Sequence, residues 1–182
     1  MPALCIVTGS QNGGKTTTLM DVIALLRQRK ISVCGLLSPG LYEENRRVAI
    51  WVENLESGET IRLADYLPGS DPQFPQKKWK MHAQAIAWGN AQLETCDPVG
   101  KIFVLDEIGI LELLDHQGWQ AGLDIIREKK YINALVSVRK ELVGEMQAIC
   151  QDAHILYKLL DLDEPLPERQ KISEDILRFL LH

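Results

Sequence analysis

The run ALCIVTGSQNGGKTTTLMDVIALLRQR, residues 3–29, decides the fold. It opens with the apolar, β-type stretch ALCIVT (3–8) and continues into GSQNGGKT, Gly9–Thr16. In the segment that follows, Leu19, Val22, Ile23 and Leu26 recur at i, i+3, i+4 and i+7, one apolar stripe facing a sheet. The spacing predicts a strand, a loop and a helix from about Thr16 to Arg29. The loop fits G-x-x-x-x-G-K-[ST] without a mismatch and sits between strand and helix, where that motif works. Gly9, Gly13 and Gly14 permit backbone paths and close approaches that a Cβ would block. Successive N–H groups and the positive end of the helix then point at phosphate oxygens. Lys15 reaches the β and γ phosphates as a point charge, the Thr16 hydroxyl can ligate Mg²⁺, and Thr17 is placed to touch the α phosphate.

Outward from this loop, short β-type runs alternate with helical patterns, the mark of an α/β protein with a parallel sheet. SVCGLL (32–37) reads as a second strand. RVAIWVENL (47–55) and ETIRLA (59–64) are separated by Glu56-Ser57-Gly58 and read as an antiparallel hairpin, at an edge or as a flap. Residues 65–79 carry Pro68, Pro72 and Pro75 with Gly69 and are expected to form no regular element. A helix over Met81–Glu94 precedes KIFVLD (101–106), apolar enough for a central strand. A helix from Trp119 to Lys129, a strand over Ile132–Val138 and a helix from Lys140 to Cys150 follow. A short strand near His154–Tyr157 and a last helix with Ile172, Ile176, Phe179 and Leu180 inward complete the chain.

The 182 residues fit one domain, 1–182, with no internal repeat or linker. Twenty Lys plus Arg against 25 Asp plus Glu leave a net charge of -5, which argues against a dedicated nucleic-acid binder. Cys5, Cys34, Cys96 and Cys150 lie far apart in sequence and read as small buried hydrophobes of a reducing compartment. Met1-Pro2 leads into Ala3–Val7 without a basic start, and no apolar stretch approaches the roughly 20 residues that span a bilayer. A cytoplasmic protein without a membrane partner is expected.

KIFVLDEIG places Asp106 and Glu107 at the carboxyl end of a hydrophobic strand, where α/β sheets bind their ligands. Asp106 is placed to hold Mg²⁺ opposite Thr16. Glu107 can accept a proton from a water aligned with the γ phosphate. Alone, two such carboxylates are ordinary solvated groups; a phosphate loop in the same chain gives them a task.

GSQNGGKTT, GLLSPGLYEENRRVAIWVENLESGE and VLDEIGILELLDHQGW together resemble the THEP1-type nucleoside-triphosphatase family, in order from about Leu4 to Val138. The resemblance implies a three-layer, RecA-like P-loop fold and slow, Mg²⁺-dependent hydrolysis of several nucleoside triphosphates, be they ATP, GTP or others. Carried over position by position, Gly9, Ser10, Gln11, Asn12, Gly13, Gly14, Lys15, Thr16 and Thr17 bind the phosphates, Asp106 handles the metal and Glu107 activates water. Ile110 stands where Lys or Pro is commoner in the family, and no role is assigned to it.

Arg139 follows the strand INALVSV. If that strand inserts between the phosphate-loop strand and the Asp106 strand, Arg139 leaves the sheet beside the γ phosphate as an internal arginine finger. The plain alternative is a surface arginine opening a helix. Arg46 and Arg47 enter the hairpin, where one can contact phosphate or ribose. Lys77, Lys78 and Lys80 flank the Pro-rich stretch and can guide an anion. Among the tryptophans Trp79 alone is a candidate for base stacking. Ser10 and Ser137 lack a His-Asp signature, so a nucleophilic hydrolase is not supported. The rival readings are a nucleotide or small-molecule kinase and a nucleotide-dependent switch or assembly module.

Overall fold

The computed structural model describes residues 1–44, 46–68, 79–165 and 168–182. Its parallel core is β2 (Val33–Leu37), β7 (Ile102–Ile108), β8 (Asn133–Val138), β1 (Ala3–Thr8) and β9 (Leu156–Asp161), adjacent in that order. Every neighbouring pair in this group is parallel. β8 therefore lies between the phosphate-loop strand and the Asp106 strand, the insertion on which the Arg139 reading depends.

Side chains alternate across each core strand, and the two faces build two separate hydrophobic clusters. Leu4 and Ile6 of β1 join Phe103 and Leu105 of β7 on one face. Cys5 and Val7 join Ile102 and Val104 on the other. The first face is covered by α2 (Ala83–Glu94), α4 (Gln120–Glu128) and α5 (Val143–Asp152), through Ala85, Leu93, Leu123, Ile126, Met146 and Cys150. The second is covered by α1 (Lys15–Gln28) and α6 (Arg169–Leu180), through Leu19, Val22, Leu26, Ile176 and Leu180. Helices on both faces of a mostly parallel sheet make the expected three layers.

Several expectations need correction. The hairpin is neither edge nor flap, because β4 (Arg46–Asn54) pairs antiparallel with β2 on one side and with β5 (Thr60–Tyr66) on the other. β6 (Trp79–Met81) extends this antiparallel part beyond β5, and β3 (Gly40–Glu43) pairs with β4. Asp65, Tyr66 and Trp79 are thus strand residues; residues 69–78 of the Pro-rich stretch, with Lys77 and Lys78, lie outside the described residues. The late strand starts at Leu156 and runs to Asp161, while His154 occupies a turn at φ 51°. Lys140–Leu142 form a 3-10 turn ahead of α5, and α3 (Ile110–Leu113) is an additional short helix. The cysteines are free, but they are not all isolated: Cys34, Cys96 and Glu56 come within 4.8 Å of one another.

Candidate active site

The phosphate loop leaves β1 at Gly9, whose φ of 148° favours glycine and where a Cβ would press on Leu162 at 3.1 Å. Gly14, at φ 89° and ψ 11°, opens α1 and turns the chain into its first helical turn. Between them the Gly13 N–H donates to the Ser10 carbonyl at 3.0 Å. The Lys15 ammonium donates to the Gly9 and Ser10 carbonyls at 3.0 and 2.9 Å, so it lies across the loop it is meant to serve. Burial pulls its pKa below the ordinary value, with Glu107 and Asp106 opposing that shift.

At the end of β7 the ladder with β8 is interrupted between Leu105 and Ile108, and Glu107 adopts φ 60°. A non-glycine residue in this region is strained, and the surroundings hold it there. Its N–H donates to the Ser137 hydroxyl at 2.7 Å and to Asp106 Oδ1 at 3.0 Å. The kink lets consecutive carboxylates do different things. Asp106 turns inward and is fully buried, accepting the Ser38 N–H at 3.1 Å and the Ser137 hydroxyl. Glu107 turns outward and pairs with Arg47 Nη1 at 3.2 Å.

Burial and the Glu107 charge raise the Asp106 pKa from 3.8 to about 6, opposed by hydrogen bonds from Ser137, Ser38 and the Thr16 side chain. Asp106 and Thr16 therefore face each other as hard oxygen donors. The Ser38 hydroxyl is buried beside them without a partner among the described residues. A carboxylate and hydroxyls of this kind suit Mg²⁺, whose chemistry is that of a hard, oxygen-seeking cation.

A cleft of about 400 Å³ opens where the phosphate loop meets Glu107. Gly9, Gln11, Asn12 and Lys15 border it at the loop, with Glu107 and Arg139. Arg139 is anchored through its N–H to the Ile108 carbonyl at 3.2 Å, and its side chain packs over Gly109. Of the two hairpin arginines, Arg47 reaches the cleft, where its guanidinium stands 5.5 Å from the Trp79 ring centroid. Arg46 is exposed at the start of β4, paired with Glu43 of β3.

Residues absent from the motif reading also belong here. Ser38 and Ser137 hold the Asp106 carboxylate, Ser137 also accepts the Glu107 N–H, and the Asp163 carboxylate accepts the Ser10 N–H at 3.0 Å. That hydrogen bond, with Lys140 at 2.9 Å, pulls the Asp163 pKa down to about 2. Glu112, buried, accepts the Gly109 and Trp119 N–H groups at 2.8 and 3.1 Å and closes the turn after Glu107. No short-range spacing announces Ser38, Ser137 or Asp163, because each arrives from a different strand or loop, whereas Glu112 stands three residues after Gly109, a capping-box spacing visible in the sequence. His82 and Asp65 meet at 2.8 Å, but neither lines the cleft.

A family profile described as NTPase matches residues 4–176. Nucleoside-triphosphatase THEP1 of Thermofilum pendens is 26% identical over 147 residues, 80% of this chain and 80% of that protein. The protein of the same name from Caldivirga maquilingensis is 26% identical over 126 residues, 69% and 70% of the two chains. A human cancer-related nucleoside triphosphatase, solved in solution, superposes with a TM-score of 0.69 at 19% identity, covering 98% of this chain and 97% of that one. THEP1 from the hyperthermophile Aquifex aeolicus gives 0.60 at 19% identity, with 98% and 99% covered. At such identity the two structures speak for the fold.

Proposed function

The chain belongs to the NTPase family and is a nucleoside-triphosphatase, and from that premise we propose a slow, Mg²⁺-dependent hydrolysis to nucleoside diphosphate and phosphate, with little preference among bases. Residues 1–182 act as one domain of a cytoplasmic enzyme in this reading. Among the described residues no helix is long and apolar enough to cross a membrane. The observation that carries the proposal is the split pair at the end of β7, with Asp106 buried against Ser38 and Ser137 and Glu107 turned into the cleft.

Thr16 and Asp106 would hold Mg²⁺, which supplies charge neutralisation for the terminal phosphates when bound. The N–H groups from Gly9 to Thr17 bind the phosphate oxygens, and Lys15 leaves the Gly9 and Ser10 carbonyls to meet them. Glu107 orients a water on the far side of the γ phosphate and takes its proton as the new P–O bond forms and the bond to the β,γ-bridging oxygen breaks, releasing the diphosphate. Arg139, across the cleft, donates to the charge that gathers on the transferred group. Slowness has a physical support: Arg47 already occupies the Glu107 carboxylate at 3.2 Å. Tolerance of bases follows from assigning every one of these contacts to phosphate or metal.

The test is phosphate release by purified protein with each common triphosphate, in Mg²⁺ and in excess EDTA, repeated with Glu107→Gln. Release without any added acceptor, lost in EDTA and in the variant, is the expected result. No release at any protein concentration would overturn the proposal.

A further inference from the structure

Hydrolysis needs room for one water beside the terminal phosphate, and a water's share of volume is about 30 Å³. The cleft holds about 400 Å³, within the range of roughly 300–1,000 Å³ typical of small-molecule sites. Beyond Glu107 its walls are Ile50, Leu63, Trp79 and Met81, from β4, β5 and β6. Among these walls stands Arg47, whose side chain is only 16% exposed and lies over the Trp79 ring; Lys15, Arg139, Glu107, Glu112, Asp115 and Glu141 also line the cleft. In the phosphate-site reading Thr17 meets the α phosphate and Glu107 faces the γ phosphate, which directs the nucleoside away from these walls and leaves them to another ligand.

We propose that this part of the cleft is a second ligand site, taking a flat, largely apolar small molecule whose anionic group pairs with Arg47 beside the terminal phosphate. The proposal rests on the reading of Gly9–Thr17 as the phosphate site. Apolar walls beside a mostly buried guanidinium reward a ligand that places one anion on Arg47 and desolvates the apolar rest of its surface. Such an anion competes with Glu107 for Arg47 and releases the carboxylate to accept a proton. Occupancy of the second site and turnover of the nucleotide are then linked through one ion pair.

The probe is 8-anilinonaphthalene-1-sulfonate, a flat apolar anion whose fluorescence rises on enclosure. It is titrated into the full chain with Mg²⁺ and a β,γ-imido analogue of ATP. One probe per chain is expected to bind together with the analogue. Binding is expected to weaken at least ten-fold in Arg47→Met and in Met81→Glu, with circular dichroism showing both variants folded. Displacement of the probe by the analogue would overturn the proposal by placing the nucleoside in the cleft. Absent binding, or binding indifferent to both substitutions, would overturn it as well. Failure of the phosphate-site reading shows separately, as analogue binding that Lys15→Ala leaves unchanged.

Discussion

The phosphate loop and the acidic corner at the end of β7 serve one substrate but are built in opposite ways. In the loop, Lys15 bonds carbonyls five and six residues away, at Ser10 and Gly9. At the corner, Asp106 takes its hydroxyl donor from 31 residues downstream and, besides the adjacent Glu107 N–H, a backbone donor from 68 upstream, and Glu107 meets Arg47 across 60. The loop carries its conformation largely in its own glycines, with one distant tie from the Ser10 N–H to Asp163. The corner borrows its conformation from the register of β2, β7 and β8, so core packing holds it in place.

That contrast can be broken or sharpened by substitution. Lys15→Ala is expected to have the largest effect, lowering hydrolysis by about 10³-fold or more and weakening nucleotide binding, since it removes charge from the transferred group. Glu107→Gln should cost roughly 10²–10⁴-fold in single-turnover rate with nucleotide affinity kept. Unchanged single-turnover kinetics would exclude Glu107 as the base. Arg139→Ala is expected to lower the same rate by about 10²-fold, the size of one lost donor to transition-state charge; an unaltered rate removes Arg139 from the site. Ser137→Ala, which touches no substrate, tests the borrowed geometry: a fall of about ten-fold is expected through misplacement of Asp106 and Glu107. A rate equal to wild type would show that the corner holds its shape alone.

The smallest expected effect is on stability against pH. The raised pKa of Asp106 means that, without divalent cation, its favourable contribution is complete below 3.8 and is lost as pH rises through about 6. The cation-free protein should therefore lose melting temperature across that window, and Asp106→Asn should flatten the profile. Cation binding needs the carboxylate, so Mg²⁺ affinity measured by calorimetry should fall as pH drops through about 6. A wild-type melting profile identical to that of Asp106→Asn would contradict the burial argument.

Legibility followed the same divide. The 3.6-residue stripe of α1, the apolar run of β7 and the fit of Gly9–Thr16 to its motif were all visible, because each is written in neighbouring residues. The three-residue β6 and four-residue β3 were not, since strands so short carry almost no periodicity and exist by pairing with β5 and β4. Arg46 and Arg47 were indistinguishable in sequence; the β4 register exposes one and delivers the other to Glu107. Cys34 and Cys96 looked unrelated until β2 and the segment after α2 brought them together.

By itself the sequence determined the phosphate loop, the alternating strands and helices around it, and two carboxylates at a strand end. These depend on local dihedral freedom and on burial pattern, which neighbouring residues specify. Only the tertiary structure decided that β8 slots between β1 and β7, bringing Arg139 to the cleft and Ser137 to Asp106. It also decided that Asp106 faces inward, that Glu107 is kinked outward onto Arg47, and that apolar walls stand beyond them. Those facts depend on strand order and register, which are fixed by the summed burial of many distant side chains and by no single stretch of chain.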